Sequence, residues 1–196
     1  DAARFGAADK ACLRALEIDA DAMEVHAALG NLYVSSGKYE NALHEFESAL
    51  EYNSNVADTY IGLAKTYIAL NRNKEAEENL RLAIESDVSY CASLYAMGNF
   101  LFGQGRFDEA AELYHMYVNR ADKDASALSN LGAAYYLAGE FRKAAEAWEE
   151  AIKIRPGRSV YSNTGTMYFY LGDFAQAADL YAMAANFEPN DYIVWG

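Results

Sequence analysis

Alanine returns along this chain at Ala8, Ala42, Ala76, Ala110, Ala144 and Ala177, at intervals of 34, 34, 34, 34 and 33 residues. A period of that length constrains the fold more than anything else in the sequence. A unit so short cannot bury a hydrophobic face by itself, so successive units must stack and share a continuous core. The residues around each alanine repeat in step. Upstream stands a small residue at Gly30, Ala64, Gly98, Gly132 and Gly165, followed by Tyr33, Tyr67, Leu101, Tyr135 and Tyr168. Downstream comes a large one at Phe46, Leu80, Tyr114, Trp148 and Tyr181, then Ala49, Ala83, Ala151 and Ala184.

Within each unit the apolar positions fall at three- and four-residue steps, which predicts two amphipathic helices per unit. Between them stand Gly37, Asn71, Gly105, Gly139 and Gly172, residue types that accept the left-handed conformation ending a helix. Pro156 and Pro189 lack the N–H that a continuing second helix requires and disfavour helical geometry in the residue before them. Ser54, Val88 and Asp122 hold that place in other units. Small residues let paired backbones approach, and large ones fill the space between neighbouring hairpins. Tyr117 interrupts the alanine series, so the third unit is expected to be loosened or rotated against its neighbour.

This combination of period, small and large stations, and terminal prolines resembles the tetratricopeptide repeat family. The resemblance implies an all-α fold, a right-handed superhelical α-solenoid of stacked antiparallel helix pairs. Its register gives one array over residues 1–196, with a half repeat at 1–22, repeats at 23–56, 57–90, 91–124, 125–157 and 158–191, and the start of a sixth at 192–196. In that family the concave face, lined by first helices, holds peptides. Carried over position by position, the groove would comprise Asn31, Ile61, Lys65, Tyr95, Asn99, Phe102, Asn130, Ala133, Tyr136, Ser162, Asn163, Thr166 and Phe169. Asn99 and Asn130 match the amides that grip a ligand's main chain in relatives binding acidic C-terminal peptides. Those relatives add Lys or Arg nearby, where this chain has Ala27, Tyr95, Ser129 and Ala133, so a carboxylate clamp is not expected.

Composition narrows the partners. Apolar residues make up 53% and aromatic residues 14% of the chain, with only 2 prolines, which marks a packable rather than a disordered sequence. A formal charge of −13 repels nucleic acid and anionic lipid, and would steer a basic ligand inward. No apolar run approaches the roughly 18–20 residues that span a bilayer, and Asp1 to Lys10 carry no signal-peptide pattern. Cys12 and Cys91, more than two repeats apart in this register, read as unpaired thiols in a reducing, cytoplasmic setting.

Catalytic signatures are missing. His26, His44 and His115 are scattered over different units, with no zinc-type spacing, and no phosphate-cradling loop or nucleophile elbow occurs. Neither metal nor cofactor is expected, nor enzyme activity. The acidic runs Glu75, Glu77, Glu78 and Glu146, Glu149, Glu150 read as solvated outer faces. Arg72, Lys74 and Arg81 are expected to pair with the glutamates interleaved among them. The leading reading is a scaffold that holds a peptide or protein, with apolar anchors and some preference for basic ligands. The alternative is a structural, regulatory or self-associating segment of a larger multidomain protein, one of bacterial signalling type, dimerising through exposed apolar ends at Phe5, Leu13, Tyr192 and Trp195.

Overall fold

The computed structural model describes residues 10–12, 14–15, 23–53, 56–121 and 124–187, and the regular elements among them are all helical. The chain divides into two compact units, Asp1–Met97 and Gly98–Gly196. The first unit contains α1 (Met23–Ser35), α2 (Tyr39–Tyr52), α3 (Ala57–Ala69), α4 (Asn73–Ser86) and the opening of α5 (Cys91–Gly103). The second begins with the rest of α5 and continues through α6 (Phe107–Arg120), α7 (Ala125–Leu137), α8 (Phe141–Ile154), α9 (Arg158–Tyr170) and α10 (Phe174–Asn186). In the first unit α1 packs on α2 and α3 on α4, with α3 also touching α1 and α2. In the second, α7 pairs with α8 and α9 with α10, while α6 meets α7 and α8 meets α9. Consecutive helices therefore pair as antiparallel hairpins, the all-α repeat that the period predicts. Phe5, Ala8, Leu13, Ser54, Asp122, Pro189, Tyr192 and Trp195 lie outside the described residues.

Each first helix stops by one backbone device. Gly37, Gly105, Gly139 and Gly172 take φ of 74°, 76°, 82° and 83°, and Asn71 takes 58°. At the fourth turn the Gly139 N–H donates to the Tyr136 carbonyl at 3.0 Å and the Glu140 N–H to the Tyr135 carbonyl at 2.8 Å. Asn71 and Arg72 repeat the pattern on Ile68 and Tyr67 at 3.0 and 2.8 Å. This Schellman arrangement satisfies carbonyls that a helix end leaves orphaned. With the turn closed by main-chain atoms, the second helices start at Lys38, Arg72, Arg106 and Glu140 without a side-chain cap. The last one differs, because Asp173 accepts from the Gln176 N–H at 3.1 Å.

The small and large stations of the sequence meet in space. Phe46, 0% exposed, lies against both α1 and α3: a Cβ on Gly30 would come 2.6 Å from its ring, and one on Gly62 would come 2.5 Å. These two glycines supply room rather than a turn. Ala42, Leu43 and Leu63 complete that core, edged by Tyr33, Tyr60 and Tyr67. Burying such a ring is worth about 2–3 kcal/mol. In the second unit a Cβ on Gly98 would meet Tyr114 at 2.9 Å, on Gly132 Trp148 at 2.6 Å, and on Gly165 Tyr181 at 3.2 Å. Tyr117 is half-buried near the end of α6, which runs unbroken to Arg120, and its neighbour Val118 is buried.

Candidate functional site

First and second helices differ in chemistry before they differ in place. The second helices carry charge on one side: α4 holds Lys74, Glu75, Glu77, Glu78, Arg81 and Glu85. By contrast α5 and α7 contain no Asp, Glu, Lys or Arg at all. Uncharged helices are expected to be fully covered, yet α5 and α7 hold several side chains that still reach solvent. Each helix, free of charge and carrying aromatics and one amide, has the composition of a protein-interface centre.

In the first unit, Asn31 is exposed and its amide donates to the Ala27 carbonyl at 3.0 Å. Lys65 is exposed and Tyr95 half-buried. Ile61 departs from the sequence expectation: it is 6% exposed and belongs to the core. At the same station of other repeats Ala27, Tyr95, Ser129 and Ser162 are only half-buried. A branched aliphatic chain has no polar tip to keep wet and turns wholly inward.

The second unit holds the remaining groove residues. Asn130, Ala133, Tyr136, Ser162 and Thr166 are half-buried, and Asn163 is exposed. Several of these have structural employment that the sequence did not reveal. Asn99, although exposed, accepts a 2.7 Å hydrogen bond from the Tyr114 hydroxyl, giving that fully buried ring its polar partner. Thr166 donates to the Ser162 carbonyl at 2.9 Å and meets the Tyr181 hydroxyl at 3.0 Å. Tyr136 lies 6.4 Å from Trp148 and 6.0 Å from Phe141, ring centre to ring centre. Phe102 meets Phe107 edge-on at 5.4 Å, and Phe169 meets Phe174 at 5.4 Å.

Charged side chains fall outside α5 and α7. Arg72 pairs with Glu75 at 2.8 Å and Arg81 with Glu77 at 2.6 Å, so the basic spot read from the sequence is internally paired there. The Arg72 hydrogen bond holds the Glu75 carboxyl below its ordinary range. The Tyr90 phenol is pushed up to about 12, first by its 2.6 Å hydrogen bond to Asp58 and then by burial. Tyr168 also rises to about 12, first by burial and then through its 2.5 Å hydrogen bond to Glu149. Among the described residues no cluster of three His, Cys, Asp or Glu could hold a metal ion, and no helix is long and apolar enough to cross a membrane. Cys12 and Cys91 are free thiols.

One constellation escaped the sequence reading. Phe107, Phe141 and Phe174 open three successive second helices, and each sits near an aromatic residue at the end of the preceding first helix. The 34- and 33-residue spacing of these phenylalanines was the available signal. It was indistinguishable from the spacing of core residues.

Three models described as tetratricopeptide repeat match residues 33–98, 92–115 and 125–158. Among solved structures, the crystal structure of MamA superposes with a TM-score of 0.71 at 25% identity, over 80% of this chain and 92% of that one. YrrB, described as a TPR protein with an unusual peptide-binding site, gives a TM-score of 0.76 at 22% identity over 93% of this chain and 95% of its own. PilF of Pseudomonas aeruginosa gives 0.67 at 23% identity, over 85% of this chain and 78% of that one.

Proposed function

Because this chain belongs to the tetratricopeptide repeat family, we propose that it is a non-enzymatic scaffold whose five described helix pairs are consecutive units of one array holding a peptide or protein on its first helices. The observation that carries this reading is the chemistry of α5 and α7. They bear no charged residue, yet Asn99 is exposed and Tyr95, Phe102, Asn130 and Tyr136 are only half-buried. Amides can pair both donor and acceptor with a guest main chain, and half-covered rings offer flat apolar anchors at low entropic cost. The guest that fits is an extended or helical segment with apolar anchors. A net charge of −13 favours the approach of a basic segment, with Lys65 a local exception.

The test uses residues with no core duty. Lys65→Ala and Asn163→Ala, both at exposed positions, are expected to deplete the set of proteins retained by the immobilised chain, with helicity and melting temperature nearly unchanged. Retention of an identical set would remove the groove from consideration. A second reading, association of copies, draws on Tyr181, which is 39% exposed where its counterparts Phe46, Tyr114 and Trp148 are at most 4%. Sedimentation that stays monomeric at high concentration would dismiss it.

A further inference from the structure

The hairpin turns share one backbone closure but differ in what surrounds it. At the first two, a cation stands over the tyrosine near the end of the first helix: Lys38 Nζ lies 5.5 Å from the Tyr33 ring centre and Arg72 Cζ 4.6 Å from that of Tyr67. At the fourth, the residue after the left-handed glycine is acidic, Glu140, and Lys143 supplies the cation, 3.3 Å from Glu140 and 5.6 Å from the Tyr135 ring centre. The last turn keeps the acid, as Asp173, but has Gln176 at the station of Lys143. Its tyrosine, Tyr168, donates to Glu149 instead. From Tyr168 to Gln176 the single charged side chain is Asp173.

Exposed rings lie close to that residue in the chain, and Phe174 follows it directly. Phe174 is 63% exposed, Tyr170 55% and Phe169 52%. They are held in fixed mutual orientation: Phe169 sits edge-on to Phe174 at 5.4 Å and to Tyr170 at 6.2 Å, and Tyr170 stacks on Phe141 at 5.3 Å. Exposed aromatic surface of this kind marks interaction sites. A ring face beside a carboxylate is a cation receptor, because the ring quadrupole and the formal charge attract the same guest.

The geometry points to a docking site on this turn for a cationic segment of another protein, an arginine or lysine flanked by apolar residues, with its charged head over the Phe169 and Phe174 rings beside Asp173. The guest's cation would meet ring faces here as Lys38, Arg72 and Lys143 do at their turns, but on Phe169 and Phe174 rather than on Tyr168, the counterpart of Tyr33, Tyr67 and Tyr135. Charge complementarity selects this occupant over an acidic or neutral one, since the chain as a whole carries −13 and its long-range field concentrates cations. Arginine fits best, its planar guanidinium stacking on one ring while its methylenes cover the next.

Calorimetric titration of the whole chain with an acetylated, amidated Leu-Arg-Leu-Arg-Leu peptide tests this, alongside the same peptide with citrulline in place of arginine. Citrulline keeps the shape and removes the charge, and is expected to bind roughly tenfold more weakly. Phe174→Ala should weaken the arginine peptide by a similar factor, and Asp173→Asn, which retains the capping acceptor, by several-fold. Both sites are exposed, and circular dichroism checks that the variants stay folded. Glu85→Gln, which removes one exposed acidic group outside both sites, should leave the affinity unchanged, which separates a local site from the general field of the chain; binding in the groove alone would be indifferent to Phe174→Ala. Equal affinity for the two peptides, or indifference to Phe174→Ala, overturns the proposal. So does an equal loss in Glu85→Gln, or a Phe174→Ala effect on self-association without any effect on the peptide.

Discussion

The pairs α3–α4 and α7–α8 occupy equivalent places in the repeat and solve the same packing problem with different residues. In α7–α8 the small station is Gly132 and the large one Trp148, whose indole lies where a Cβ on the glycine would stand, 2.6 Å away. In α3–α4 the small station is Ala64, 0% exposed, and the large one Leu80, 2% exposed. One side gains a methyl and the other loses a ring. Between these two hairpins the larger small station goes with the smaller large one, a compensation that close-packed interiors favour.

The largest expected effect comes from breaking that balance in α7–α8. Trp148→Leu opens a cavity beside Gly132, and also removes the indole N–H that donates to the Ser129 carbonyl at 3.0 Å; the loss should be about 2–4 kcal/mol. Gly132→Ala alone overpacks and should cost about 1–3 kcal/mol. Combined, the two changes recreate the α3–α4 solution, and the double variant should be more stable than the sum of the single losses by about 1–2 kcal/mol. Urea unfolding followed by circular dichroism measures all three, and strict additivity would refute volume compensation.

The turns of the two pairs give a smaller contrast. Gly139 sits at φ 82° and Asn71 at 58°, a conformation that glycine accepts freely and asparagine tolerates. Gly139→Ala should therefore cost about 1 kcal/mol, while Asn71→Gly should shift stability by less than about 0.5 kcal/mol. A Gly139→Ala chain that melts like the parent would show that the left-handed station is not under constraint.

The smallest effect is alkaline. Tyr90 in the first unit and Tyr168 in the second have folded pKa values raised to about 12 from 10.0. Raised values mean that the neutral phenol is favoured by folding, so this stability is fully present below the unfolded value and fades as pH climbs from about 10 through about 12. Tyr90→Phe and Tyr168→Phe should each flatten part of that decline in a pH series of thermal melts. A decline unchanged in both would assign it to other groups.

The hairpins, their turns and their core stations were legible in the sequence because each rests on a local rule repeated several times: a left-handed residue, a small station, a large one. The surface was harder to read. Asn99 and Tyr136 look free in a register that records only side-chain size, but one satisfies the Tyr114 hydroxyl and the other packs near Trp148. Replacing them would confuse loss of binding with loss of packing. Ile61 differs for a related reason: its station is half open in other repeats, but a large branched apolar chain gains more by burial than the small or polar-tipped residues there. The aromatic cluster of Phe141, Phe169, Tyr170 and Phe174 combines a contact between successive hairpins, Phe141 on Tyr170, with one inside a hairpin, Phe169 on Phe174, which a one-dimensional period cannot separate from core filling.

Main-chain hydrogen bonds recur at every hairpin turn, whatever side chain follows the left-handed residue. Its identity runs Lys38, Arg72, Arg106, Glu140, Asp173, so the sign of its charge reverses along the sequence while the turn geometry stays the same. Backbone closure thus tolerates either sign at that residue, and what varies from turn to turn is the side-chain pairing built around it: a ring for Lys38, a ring and Glu75 for Arg72, Glu109 for Arg106, Lys143 for Glu140 and the Gln176 N–H for Asp173.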